Sequence, residues 1–237
     1  LKAVYLPSDM EELGAYAFYN CGALETIRLP DNIAAVNDYC FAHCSSLTGI
    51  KLPIGVKKIG ANAFRYCASL KEIELPTTVE ELGEEAFYRC GALTSVTLSD
   101  NIGNISPYCF AYCISLTGIK LPGSVINIEE NAFFNCRALR SVVFEGSINR
   151  VGEYAFGYCE SLMKIDISVK ELETGAFCGC ASLKSVYIGP ELAYMGLGIL
   201  QGCDSLSEVV IPRMDRSIGL TAPSYFGYLF GAEDSTQ

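Results

Sequence analysis

Phenylalanine recurs every 23 residues along most of this chain. Seven phenylalanines keep that interval without error: Phe18, Phe41, Phe64, Phe87, Phe110, Phe133 and Phe156. Phe177 follows after 21 residues. A fixed period of roughly 20 to 50 residues is typical of a solenoid, in which each unit buries its apolar face only against its neighbours. The spacing therefore predicts one elongated array of repeats, with a stacked and buried column of phenylalanines from Phe18 to Phe177.

Each unit combines two patterns, as in residues 70–92, LKEIELPTTVEELGEEAFYRCGA. The alternating IEL predicts a short strand, and Pro76 ends it because proline lacks a backbone donor. Ala86, Phe87 and Cys90 would share one side of a helical turn, and the glycine and acids before them suit a helix N-terminus. We therefore expect a right-handed α/β solenoid with one parallel β-sheet and short helical turns on the other side.

The repeats fill residues 1–212 as nine full units and the start of a tenth. The pattern ends from Arg213 onward, where the segment SYFGYLFG is aromatic and glycine-rich. Terminal solenoid units need a cap, so residues 213–237 are predicted to form a C-terminal cap or the start of the next module. Its covering side chains would be Tyr225, Phe226, Tyr228, Leu229 and Phe230. The chain opens in the middle of a repeat, so we expect a preceding part, with any export signal, to lie outside this sequence.

Charge and hydropathy exclude two classes of partner. The net charge is −10, from 17 basic and 27 acidic residues. Binding to nucleic acid depends on clustered Lys and Arg, so a nucleic-acid partner is not expected. No apolar stretch approaches the roughly 18 to 20 residues of a membrane-spanning helix, so no membrane span is predicted in this segment.

Cysteines follow the same period, three residues after each phenylalanine position. Nine of the twelve obey this spacing, which favours a buried core position filled by a reduced thiol. Neighbouring units would bring these thiols to about 5 Å, so a disulfide or a metal site remains an alternative. Stacked side chains point the same way, which opposes disulfide geometry. Cys178 falls at a variable position and is predicted to be the most reactive thiol.

Nothing in the sequence predicts catalysis. His43 is the only histidine, and the equivalent position, or phase, of the repeat holds Asn20, Tyr66 and Arg89 in other units. A nucleophile needs an activating base within hydrogen-bond reach, and no Ser, Cys or Lys has one at a matching phase. We expect no catalytic residues, no metal site and no cofactor.

The strand side chains that point away from the core are the candidate binding residues. Solenoids commonly use such sheet faces as extended contact surfaces. Phase assigns eight candidates to this face: Arg28, Lys51, Glu72, Glu74, Lys120, Lys164, Asp166 and Tyr187. Charges of both signs alternate along it, so a simple solvated face remains the alternative interpretation.

Tyrosine rows form a second candidate surface. The rows occupy two phases of the repeat: Tyr16, Tyr39, Tyr108 and Tyr154 at one, and Tyr66, Tyr112 and Tyr158 at the other. Tyrosine is enriched at protein interfaces. It is also an ordinary half-buried packing residue, and the sequence favours that interpretation.

The repeat pattern SLxxIxLPxxVxxIGxxAFxxC resembles the BspA-type leucine-rich repeat, and residues 69–90 match it closely. The resemblance covers about residues 1–212. It implies an extracellular protein-binding module on a bacterial cell surface, adhering to host matrix or bacterial surface proteins. The alternative is a rigid spacer or stalk that displays another domain. The family brings no catalytic residues. Ser99 and Glu145 depart from the pattern, because they replace the proline that ends the strand.

Overall fold

The computed structural model describes residues 2–212 and 228–231, which wind into a parallel-strand solenoid of about nine turns. Each complete turn contains extended segments at two places and a tight segment around its phenylalanine. The predicted stacking of parallel strands is confirmed. Strands are numbered β1 to β17 in chain order.

The first sheet contains the strands predicted from the IEL-like segments. These are β1 (Ala3–Tyr5), β2 (Thr26–Arg28), β5 (Glu72–Glu74), β7 (Ser95–Thr97), β9 (Gly118–Leu121), β11 (Ser141–Phe144), β13 (Lys164–Ile167), β15 (Ser185–Ile188) and β17 (Glu208–Val210). Paired strands are parallel, and most partners are one 23-residue unit apart, as Ala3 and Thr26 are. Backbone pairing is interrupted along the solenoid, and Lys51 pairs only as an isolated bridge with Arg28.

A second ladder of parallel strands runs along the solenoid, so the prediction of a single sheet was wrong. It consists of β3 (Ala35–Val36), β4 (Lys58–Ile59), β6 (Glu81–Leu82), β8 (Asn104–Ile105), β10 (Asn127–Ile128), β12 (Ile148–Val151), β14 (Val169–Leu172) and β16 (Tyr194–Met195). Most of these strands have only two residues. Two residues are too few for the alternation that identifies a strand from sequence. They become strands because the fixed period places extended backbone beside extended backbone.

The shortened unit tightens the connection between the two sheets. One residue, Ser168, separates β13 from β14. The register changes accordingly to 21 residues, with Ile148 opposite Val169 and Lys164 opposite Ser185. The two-residue deletion therefore lies in the connection between the two sheets, and the core pattern continues beyond it.

The phenylalanine segment is not helical, so the predicted short helical turns were wrong. In residues 83–90 the amide of Phe87 donates to the carbonyl of Cys109 in the next turn, at 2.8 Å, whereas the amides beside it bond within the segment, three residues back. Two residues of the segment, Glu85 and Arg89, have left-handed φ values of 55° and 59°. We call this segment, residues 83–90 and its equivalents in the other units, the Phe turn. Apolar residues at i, i+1 and i+4 suit both a helix and the Phe turn, so their spacing could not distinguish the two.

At Gly83, close backbone approach explains the glycine before the Phe turn, and a helix N-terminus does not. A Cβ added to Gly83 would lie 2.4 Å from the Ala61 nitrogen and 2.5 Å from the Gly60 carbonyl carbon. The close approach allows the Gly83 amide to donate to the carbonyl of Ile59 at 2.7 Å. Where the same phase holds Ser106, the serine hydroxyl bonds instead to the carbonyl of Leu82 in the preceding turn.

The core is a column of stacked phenylalanine rings along the solenoid axis. From Phe18 to Phe177, successive centroids lie 5.1 to 5.5 Å apart, and ring planes differ by at most 12°. Phe41 to Phe177 are fully buried, as predicted. Phe18 is only half-buried, because its ring has a stacked neighbour on one side alone within the described residues. Its burial was predicted wrongly.

Residues 228–231 pack against the last Phe turn. The amides of Gly198 and Leu200 donate to the carbonyls of Tyr228 and Leu229, at 2.8 and 2.9 Å. Leu229 is fully buried, and Phe230 is 44% exposed. These contacts continue the ladder of hydrogen bonds between Phe turns. Tyr225 and Phe226, also named as capping residues, lie outside the described residues.

Candidate functional site

The first sheet places all eight predicted binding residues on its outer face. They form two adjacent rows, because side chains alternate along a strand and strands stack in register. One row contains Arg28, Lys51, Glu74, Lys120, Asp166 and Tyr187, and the other contains Glu72 and Lys164. All eight are exposed. The structure therefore brings them to one face, as their phase in the repeat indicates.

Two of the four cations on this face already have acidic partners. Lys120 lies 2.8 Å from Glu145, whose hydrogen bond and charge raise the pKa of Lys120. Lys164 lies 3.2 Å from Asp166 on the same strand. Exposed ion pairs contribute little to stability, but they reduce the charge that a partner meets. Sequence phase did not indicate the first pair, because Glu145 follows the end of strand β11.

Three of the other charged candidates line a depression in the first sheet. Arg28, Lys51, Glu72 and Glu74 form no ion pair among the described residues. Lys51, Glu72 and Glu74 line a cavity of 620 Å³ together with the exposed Ile54. Gly49 also lines it, and a Cβ there would meet no atom within 4 Å. The depression therefore has charges of both signs and open space above its glycine.

An aromatic strip runs along the Phe turns. It contains one of the two predicted tyrosine rows, that of Tyr66, Tyr112 and Tyr158, together with rings that were not predicted to belong to it. Rings in successive turns contact one another, with centroids 4.7 to 5.9 Å apart: Tyr19, His43, Tyr66, Tyr88, Tyr112, Phe134 and Tyr158. Two adjacent phases supply the rings, and each turn has one ring and one smaller or non-aromatic residue. Gly157 shows why, since a Cβ there would lie 3.1 Å from the Phe134 ring. This alternation is visible in the sequence once both phases are compared.

Two arginines lie over the strip. The Arg65 guanidinium lies 4.7 Å from the Tyr88 ring centroid and also pairs with Glu85. The Arg89 guanidinium lies 4.7 Å from the Tyr112 centroid and 5.6 Å from that of Tyr88. Both distances are within the range of a cation–π interaction.

The remaining predicted tyrosines mainly pack against their neighbours. Tyr16 stacks on Tyr39 at 4.7 Å, with the ring planes only 4° apart. Tyr108 and Tyr154 are half-buried. Burial is the main cause that raises the pKa of both hydroxyls. The packing interpretation therefore holds for Tyr39, Tyr108 and Tyr154, whereas Tyr16 is 54% exposed.

The cysteine ladder has a structural role that sequence analysis did not identify. Eight thiols donate to the carbonyl of the phenylalanine in the preceding turn, at 3.1 to 3.3 Å: Cys44, Cys67, Cys90, Cys113, Cys136, Cys159, Cys180 and Cys203. Burial raises the pKa of the Cys90 and Cys136 thiols to about 12. All twelve cysteines are free thiols in the structure.

Cys178, which was predicted to be the most reactive thiol, is buried. Its exposed fraction is 7%, whereas Cys21 in the first turn is half-buried. Burial raises the pKa of Cys178, against a smaller opposing effect of a hydrogen bond with Tyr158. The variable neighbours at this phase misled the prediction, because the Tyr158 ring lies over the Cys178–Gly179 segment.

Within the described residues, no group of three or more His, Cys, Asp or Glu side chains is arranged to hold a metal ion. The same residues contain no helix with the length and apolar character that crossing a bilayer requires. His43 lies in the aromatic strip, stacked on Tyr66 at 4.7 Å.

Comparison with known proteins agrees with the geometry. The model of the BspA-type leucine-rich repeat region matches residues 1–117 and 103–226, with six copies of the repeat. The chain belongs to this family. Proteins with this solenoid are typically non-enzymatic scaffolds for protein interaction, so membership indicates an interaction or scaffold module. No curated protein matches the chain.

Solved bacterial proteins share the fold. A leucine-rich repeat protein from Bacteroides ovatus is 27% identical, with a TM-score of 0.66, over 90% of this chain and 67% of that one. A leucine-rich cell surface protein from Faecalibacterium prausnitzii is 22% identical, with a TM-score of 0.50, over 99% of this chain and 83% of that one. The second likeness shows the fold alone.

Proposed function

We propose that this chain is an extracellular protein-binding module of a bacterial cell-surface protein, which adheres to host matrix or bacterial surface proteins through the outer face of its first sheet. The carrying observation is the depression lined by Lys51, Glu72 and Glu74, whose charges have no partner among the described residues. Family membership supports an interaction role. The Faecalibacterium protein is a cell surface protein with this fold, which supports the location.

The chemistry of the depression favours a protein partner. A folded protein presents both ammonium and carboxylate groups, which can pair with Glu72, Glu74, Lys51 and Arg28 in one interface. Interspersed charges mainly set association rate and specificity, whereas affinity comes from apolar contact. Exposed Ile54, 68% accessible at the rim, supplies such contact.

A rigid spacer is the second candidate function. The stacked phenylalanine column and the hydrogen bonds between successive turns support it, because both run along the solenoid axis. A spacer needs stiffness but no free charges at a concave site. The two proposals therefore differ in whether the first sheet binds anything.

The test is binding of the purified chain to a panel of immobilised host matrix and bacterial surface proteins, followed by kinetics with any protein that is captured. The double variant Arg28→Glu and Lys51→Glu is compared with Lys57→Glu and Lys170→Glu, which makes the same charge change at exposed lysines outside the first sheet. We expect association to slow, with an altered salt dependence, only in the first pair. Equal kinetics in both pairs would remove the first sheet as the site. Failure to bind any protein of the panel would favour the spacer.

A further inference from the structure

The aromatic strip repeats every two turns between Tyr66 and Tyr158. Rings in this part alternate between the two phases, with Tyr66, Tyr112 and Tyr158 at one phase and Tyr88 and Phe134 at the other. Residues at the same phase are 46 positions apart, which is two units. Phenylalanine centroids in successive Phe turns of this part lie 5.1 to 5.3 Å apart, so equivalent rings recur at about 10.5 Å along the axis.

That spacing is closest to the side-chain repeat of one conformation of an extended peptide. A polyproline II helix rises about 3.1 Å per residue with three residues per turn, so side chains on one edge recur at about 9.3 Å. Aromatic surfaces bind proline-rich peptides in this conformation, because the peptide loses little entropy on docking. In a β-strand, side chains on one face recur at about 6.8 Å, which does not fit the spacing of the rings.

The strip is rigid before any ligand arrives. Tyr112 has its amide bonded to the carbonyl of Phe134 in the next turn at 2.8 Å, and its ring contacts the rings of Tyr88 and Phe134. Tyr66, Tyr88, Tyr112 and Phe134 are half-buried, and Tyr158 is 45% exposed. A pre-ordered tyrosine surface supplies contact area at a low entropic cost of binding.

Arg89 adds a charge that needs an acidic group on the ligand. Its side chain is exposed and forms no ion pair among the described residues, whereas Arg65 is paired with Glu85. The guanidinium lies within 5.7 Å of the Tyr66, Tyr88 and Tyr112 centroids. Guanidinium groups commonly stack on aromatic faces and bind a carboxylate bidentately through their N–H edge.

We propose that the aromatic strip from Tyr66 to Tyr158 binds a proline-rich peptide in the polyproline II conformation, aligned with the solenoid axis and carrying a carboxylate that pairs with Arg89. This surface lies on the Phe turns, whereas the proposed adhesion site lies on the first sheet. The inference therefore does not depend on the proposed function.

The experiment measures fluorescence anisotropy of labelled synthetic peptides with the purified chain. The probe contains prolines at every third position and a glutamate near its centre. One control peptide has the same composition in scrambled order, and another carries arginine in place of the glutamate. We expect saturable binding of the probe. The arginine peptide should bind weaker by about tenfold or more, because it loses a charge-assisted hydrogen bond. The scrambled peptide should also bind more weakly, because its prolines no longer recur at every third position.

Variants locate the binding site. Arg89→Glu, at an exposed side chain, should weaken probe binding by about tenfold or more, and Tyr112→Ala should weaken it as well. Lys51→Glu and Tyr187→Ala, on the first sheet, are matched controls and should leave binding within about twofold. Circular dichroism melts verify that each variant is folded. The proposal is overturned if the scrambled peptide binds equally, if Lys51→Glu weakens binding as much as Arg89→Glu, or if the probe shows no saturation at millimolar concentration.

Discussion

Gly83→Ala tests the close approach between successive turns. A Cβ at this position would lie 2.4 Å from the Ala61 nitrogen and 2.7 Å from its Cα, and neither backbone atom can move without displacing the turn. Separating the turns would break the 2.7 Å hydrogen bond from the Gly83 amide to the Ile59 carbonyl. Overpacking and an unpaired backbone group each cost about 1 to 3 kcal/mol, so we expect a total loss of about 3 kcal/mol in the free energy of unfolding.

Gly83→Ser distinguishes this explanation from helix capping. A serine at a helix N-terminus stabilises relative to glycine or is neutral. Close approach predicts that the free energy of unfolding decreases in the order glycine, serine, alanine at this position, because a serine hydroxyl can bond to the preceding turn as Ser106 does. Gly103→Ala is the matched control, since its added methyl group would meet no atom within 4 Å. The measurement is urea unfolding followed by circular dichroism.

A loss below about 1 kcal/mol in Gly83→Ala would refute the reasoning, because a Cβ at the observed distances cannot be accommodated at that cost. A serine variant more stable than the wild type would also contradict it. An equal loss in Gly103→Ala would show that the chain responds to any added methyl group.

Three further predictions concern the core and its thiols. Phe87→Ala should lower the free energy of unfolding by about 3 to 5 kcal/mol in the same assay, because the ring is fully buried in the stacked column. In the native protein, a thiol reagent should modify Cys21 first and Cys178 slowly, as read by mass spectrometry of peptides, because only Cys21 is half-buried. Since burial raises the pKa of Cys90 and Cys136 to about 12 from a usual 9.0, stability should be fully present below pH 9 and fall as pH rises towards 12. Unfolding midpoints in reductant should show this decline, and Cys90→Ala should reduce its slope.

The sequence predicts the core better than it predicts the backbone. Phe87 and Cys90 recur at a fixed phase, and only a buried position requires the same side chain in every unit, so their burial followed from the period. The conformation around them did not follow, because the same apolar spacing suits a helix and a Phe turn. Left-handed φ values at Tyr66 and Arg89 carry no sequence signal of their own, since neither residue type favours them.

The candidate surfaces were also predicted only in part. Alternation along a strand placed Lys51 and Glu74 on the outer face of the first sheet. The partner of Lys120 was hidden, because Glu145 reaches it from the end of another strand. The sequence indicated only part of the aromatic strip, because its rings alternate between two adjacent positions of the repeat, as Tyr88 and Tyr112 do.

Hydrogen–deuterium exchange tests the proposed adhesion site most directly. The chain is measured alone and in complex with a host matrix or bacterial surface protein captured from the panel. Protein binding at the first sheet predicts slower exchange in Glu72–Glu74 and Ser95–Thr97, which flank the depression, with little change in the second ladder at Glu81–Leu82. Unchanged exchange throughout the first sheet in a saturated complex would contradict the account.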